Sequence, residues 1–168
     1  WVRCLGFAAL ILVIVQGILG GITVKFFLPP PVSILHGVVA QTFFILTIIL
    51  AYSQSIERKQ REDMPEDLTP SMIRMILAFA MLVYLQLILG AVMRHTGAGL
   101  SIPDFPTMGG YWIPPFNESM LANINNWRFD HDLTLVTMSQ VVTHFIHRFM
   151  AFVILIFLFI LNIQGLRS

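Results

Sequence analysis

Four stretches of this chain are so long and apolar that lipid, not water, must be their solvent: residues 4–24, 32–54, 72–93 and 138–163. Each matches or exceeds the roughly 20 residues of helix that cross a hydrocarbon core. Arg74 and Arg148 are the only charges in them, and both read as lying near helix ends. With 57% of all residues hydrophobic and 11% charged, a soluble globular domain is excluded. The expected fold class is an all-α membrane protein of four transmembrane helices, with the lipid bilayer as its first partner. The first stretch follows Arg3 as a secretory signal would, but it runs past signal length without a small-x-small cleavage site, so it reads as a span. Because the chain begins at Trp1 rather than Met, an interior piece of a longer polypeptide is expected. The single cysteine, Cys4, excludes an internal disulfide and a cysteine-based metal site. The net charge of +1 points to no nucleic acid.

Basic residues in short loops favour the cytoplasm. Arg58, Lys59 and Arg61 in the 55–71 connection, with Arg3 and Arg167 at the ends, put both termini and that connection inside. Glu57, Glu62, Asp63, Glu66 and Asp67 dilute the charge there, but the rule counts mainly Lys and Arg. Segments 25–31 and 94–137 then lie outside. In the second of these, Gly97, Gly99, Pro103, Pro106, Gly109, Gly110, Pro114 and Pro115 alternate with Phe105, Tyr111, Trp112 and Phe116. That composition of tight turns and aromatic anchors predicts a cap over the outer helix ends. The plainer alternative is an interfacial loop whose Trp and Tyr sit at headgroup level.

Residues 16–25, Gln-Gly-Ile-Leu-Gly-Gly-Ile-Thr-Val-Lys, are echoed 70 positions later at 86–95 by Gln-Leu-Ile-Leu-Gly-Ala-Val-Met-Arg-His. Such weak self-similarity points to duplicated bundles. In each copy a glutamine and a glycine stand four apart, so a polar group and a close-packing notch face the same neighbour. Gly17 and Gly21 add a small-xxx-small notch that reads as plain helix packing.

Histidines at membrane depth face a bundle interior, a cavity or a ligand. His36 is expected one turn into the second span, and His144 and His147 about two turns into the fourth, all in the outer leaflet. Ala40 and Ala151 follow His36 and His147 by four residues and leave a flat space one turn along the same face. A large planar ligand such as haem could lie there, with its iron on imidazole. His144 precedes His147 by three, so both rings could point into one pocket, one as ligand and one as a proton-transfer group. A duller reading has each histidine hydrogen-bonded to a neighbouring helix. A zinc site is the other metal alternative, but carboxylates and thiols are missing from the spans. Arg94 and Arg148, placed at the outer ends of the third and fourth spans, are candidates for the haem propionates, with snorkelling to lipid phosphate as the alternative. His95 and His131 read as solvent-side loop residues without a role.

Residues 94–106, Arg-His-Thr-Gly-Ala-Gly-Leu-Ser-Ile-Pro-Asp-Phe-Pro, followed by Ile113-Pro-Pro and by His144-Phe-Ile-His-Arg, closely resemble the haem A synthase family. Residues 16–24 with Pro30-Pro-Val-Ser-Ile-Leu-His36 are similar to the matching segment of that family's first half. The resemblance implies about eight spans in two similar four-helix bundles, one binding haem b and the other receiving haem O, whose ring methyl becomes the formyl group of haem A. On that implication residues 1–54 are the last two helices of the first bundle, 55–71 a cytoplasmic loop, and 72–168 the first two helices of the second. His36 and His147 would each be one axial iron ligand of a different site, His144 the catalytic candidate, and Arg94 and Arg148 propionate partners. It further implies the cell inner (plasma) membrane, haem O synthase as a partner, and a homo-oligomer. This chain departs from the pattern in carrying His144 where a carboxylate often stands in the first bundle, and in lacking the loop cysteines of some relatives. The rival readings are a membrane cytochrome that only passes electrons, with His36 and His147 clamping one haem, and a haem carrier.

Overall fold

The computed structural model describes residues 1–61 and 69–166. Glu62, Asp63, Glu66, Asp67 and Arg167, which entered the charge reading, lie outside the described residues. The chain divides into two compact units, residues 1–74 and 75–168.

The first unit is a helical hairpin of α1 (Val2–Lys25) and α2 (Pro30–Ser53), followed by the short α3 (Ile56–Arg61). The chain reverses through Phe27 and Leu28, both left-handed (φ 55° and 60°), and the Leu28 N–H closes onto the Thr23 carbonyl at 2.8 Å. Pro30 and Pro31 open α2, where an N–H would have no helical partner to lose. Leu19, Thr23 and Ser33 are buried where the hairpin packs, while Phe7, Ile11, Ile14 and Ile18 stand exposed. Bare apolar side chains on helices of mean hydropathy 2.4 and 2.1 are what lipid or further helices cover.

The second unit contains α4 (Pro70–His95) from Met75 onward, α5 (Glu118–Asp130) and α6 (Met138–Gly165). Among the described residues four helices, α1, α2, α4 and α6, are long and apolar enough to cross a membrane. They begin and end within two residues of the expected spans. Because α2 starts at Pro30, His36 lies nearly two turns in rather than one. Arg148 is likewise ten residues inside α6, not near its end.

The segment between α4 and α6 is a folded cap with its own core, made of Ile102, Met108, Met120, Ile124, Val136 and Val141, with Phe116, Leu121 and Phe145 packed on it. Val141 and Phe145 come from α6, so the cap is built directly on that helix. A tight turn joins Met108 to Tyr111. Gly109 and Gly110 sit there at φ +65° and +83°, a region costly for other residues. A methyl at Gly109 would also fall 2.9 Å from Met120 Cε. The sequence reading did not foresee α5, although its start is marked by Asn117, whose side chain accepts the Met120 N–H at 2.9 Å.

Candidate functional site

Each unit brings one histidine against one glutamine and one glycine. In the hairpin, Gln16 of α1 donates its Nε2 proton to the His36 carbonyl at 2.8 Å, and a methyl at Gly20 would meet His36 Cε1 at 3.5 Å. Between α4 and α6, Gln86 Nε2 donates to the His147 carbonyl at 3.1 Å and lies 3.3 Å from His147 Nε2. A methyl at Gly90 would meet His147 Cε1 at 3.3 Å. The expectation that glutamine and glycine face one neighbour thus holds in both copies, and the neighbour is a histidine. By contrast, nothing lies within 4 Å of a methyl placed at Gly17 or Gly21.

The two cradles share a polar deficit. His36 Nδ1 and His147 Nδ1 are buried without a hydrogen-bond partner, as are Gln86 Oε1 and Ser33 Oγ. An unpaired buried polar atom costs about 1–3 kcal/mol, so groups this placed normally serve a ligand, a water or an ion. Ser33 stands three residues before His36, as His144 does before His147; its unpaired hydroxyl was not read from the sequence, although that spacing was there to find it.

His144 and His147 take different hydrogen-bond partners. His144 is buried and its Nδ1 accepts the backbone N–H of Ile102 at 3.0 Å, so its ring turns to the cap while that of His147 turns to α4. One turn on, Arg148 donates through Nη1 to the Asp104 carbonyl at 2.7 Å and through Nη2 to that of Ile102 at 3.2 Å. Its guanidinium also lies 6.0 Å from the Phe105 ring, which stacks on Phe152. Arg94, in the last turn of α4, is exposed, four residues from Gly90 along the Gln86 face. His131 is outside the spans, stacked on Trp127, and His95 ends α4.

Inside the cap, the Asp104 carboxylate accepts the Gly109 and Gly110 N–H groups at 2.6 and 2.9 Å. Partial burial alone would raise its pKa; the hydrogen bonds from Thr107, Gly110 and Gly109 outweigh it and hold the carboxyl below its ordinary range. A cavity of about 410 Å³ opens between this turn and Asn123, Ile124 and Trp127 of α5, and no histidine lines it.

Residues 2–168 match the family described as cytochrome oxidase assembly protein. Haem A synthases of Rickettsia canadensis (33% identity over 71% of this chain and 36% of the relative), Staphylococcus epidermidis (31%, 80% and 43%) and Rickettsia bellii (30%, 79% and 43%) are similar to it. The chain belongs to the haem A synthase family. It spans about two-fifths of the length of these relatives. No solved structure matches it.

The residues of this haem A synthase family chain fit a haem. Iron takes imidazole nitrogen, and each cradle leaves one imidazole nitrogen, Nδ1, without a hydrogen-bond partner in a ring that a glycine lets pack close to the facing helix. Among the described residues no three His, Cys, Asp or Glu side chains converge, the donor set that the zinc alternative needs.

Proposed function

We propose that this chain forms part of a membrane oxidoreductase that converts haem O to haem A, in the inner (plasma) membrane, for cytochrome oxidase assembly. The observation that carries the reading is the repeated cradle, Gln16–Gly20–His36 and Gln86–Gly90–His147, in a chain of this family. His36 and His147 would each hold the iron of a different haem, one a resident haem b and the other the haem O substrate, with other helices of the full-length protein completing each site. Separate glutamine and glycine partners for each histidine support two sites over one haem clamped by both.

Bound haem iron supplies the redox chemistry; the protein binds, orients and excludes water. Arg94, with its guanidinium exposed at the outer end of α4, pairs with a propionate. Arg148 spends two donors on the cap and offers its remaining N–H groups to a second propionate. His144 is the proton-handling candidate: with Nδ1 accepting from Ile102, the neutral ring carries its proton on Nε2, the atom from which it donates. The cap lies over the outer face as a lid. Haem O synthase as supplier and a homo-oligomeric assembly complete the proposal.

Mass spectrometry of haem extracted from membranes that express the full-length gene with a source of haem O tests it. Haem A or a hydroxylated haem O is expected. Unchanged haem O alone would turn the reading to an electron-carrying cytochrome or a haem carrier.

A further inference from the structure

One device is used twice at the histidine sites, and its working part is the glutamine. A helix carbonyl already accepts the N–H four residues on, so neither His36 nor His147 needs a second donor to keep its helix intact. The added bond from Gln16 or Gln86 joins two helices at the level of the histidine, where the surroundings are apolar. It therefore fixes register, the one quantity that greasy side chains leave soft. A slip of one residue would rotate the imidazole off the glycine and onto a side chain. The copies differ in one respect. Gln16 touches only the main chain of His36, whereas Gln86 Nε2 also reaches the ring nitrogen of His147 at 3.3 Å.

We propose that Gln16 and Gln86 are positioning residues of the two sites. Each locks its helix pair in the register that seats the histidine ring on Gly20 or Gly90. This rests on the reading of both histidines as axial ligands. Groups that hold a metal-bound histidine from outside typically change metal affinity about 10- to 100-fold when removed.

The test uses the full-length protein loaded with haem. His36→Ala and His147→Ala first assign the low-spin electron paramagnetic resonance signals to the two sites. Gln86→Leu is then expected to shift the g-values of the His147 signal and to weaken haem retention there at least tenfold, leaving the His36 signal in place. Gln16→Leu is expected to do the reverse. Gln86→Glu, which keeps the length and, when protonated, the donor, should restore much of the His147 signal. Gly90→Ala places a methyl 3.3 Å from His147 Cε1 and should move the same signal with Gln86 intact, which keeps the question decidable if a leucine variant does not accumulate. Leucine variants that leave their own site unchanged, or that disturb both sites alike, overturn the inference, as does a silent Gly90→Ala. If the histidine variants leave both signals intact, it is the ligand reading that fails.

Discussion

His147 and His144 stand three residues apart on α6 yet turn to different neighbours, the first to Gln86 and the second to the main chain of Ile102. Their substitutions should therefore part company. His147→Ala in the full-length protein is expected to remove the low-spin spectrum of one haem. His144→Ala leaves the buried Ile102 N–H without an acceptor, at a cost of about 1–3 kcal/mol, and should speed hydrogen exchange at that amide while the haem is largely retained with a shifted spectrum. Loss of haem from the His144 variant with Ile102 still protected would move the axial role to His144. A histidine or glutamine at membrane depth is costly enough to stand out in the sequence, and the structure brings Gln16 to His36 and Gln86 to His147. The sequence was silent about where His144 and Arg148 point. Their partners are the amide of Ile102 and the carbonyls of Ile102 and Asp104, main-chain groups that every residue carries and no side-chain pattern reveals.

Among the elements, the four long helices were legible to within a few residues because apolar length alone prescribes them. The cap was legible only as a composition. Its glycines do serve a tight turn, but α5 was hidden in it, since a short helix with polar Asn123, Asn125 and Asn126 lacks the apolar length that marks a span. What holds the cap is a set of polar ties. Arg128 is buried and donates to the Thr134 and Leu100 carbonyls, and Asn125 exchanges two hydrogen bonds with the main chain of Val136. Asp104 secures the turn at Gly109 and Gly110, and its lowered pKa gives this tie a sign. A depressed carboxyl pKa contributes stability above the unfolded value and loses it as pH falls through the folded one. Protection of the Gly109 and Gly110 amides should accordingly persist at neutral pH and fade below the ordinary carboxylate range. Asp104→Asn can accept only one of the two amides, so it should lower that protection by about 1–2 kcal/mol at neutral pH and flatten its acid dependence. Hydrogen exchange that is unchanged in the variant would assign the turn to its glycines alone.

For the molecule as a whole, the orientation proposed from Arg and Lys in short loops has a direct check. A reporter active only outside the cytoplasm, fused after Asn117 at the head of α5, should be active, and one fused after Gln60 in α3 should be silent. The opposite pattern would put the cap and the outer ends of the cradles on the cytoplasmic side. The sequence carries an echo between two ten-residue segments at an offset of 70, with Gln, Ile, Leu and Gly recurring, and the cradles give it a physical content, since in both copies the glutamine and the glycine meet a histidine. The histidine's own neighbours recur less well, Ser33 standing where His144 stands, so the repeat could be read on one helix of each pair and not on the other. The way the cap is assembled also has a consequence for the order in which the protein can be made. Val141 and Phe145 are walls of the cap's core, and His144 and Arg148 hold its Ile102 to Asp104 stretch, yet all four leave the ribosome after every other residue of the cap. Until α6 has been inserted, the freshly delivered cap has an open side and no anchor, and during that interval it is a natural client for a chaperone or a target for a protease.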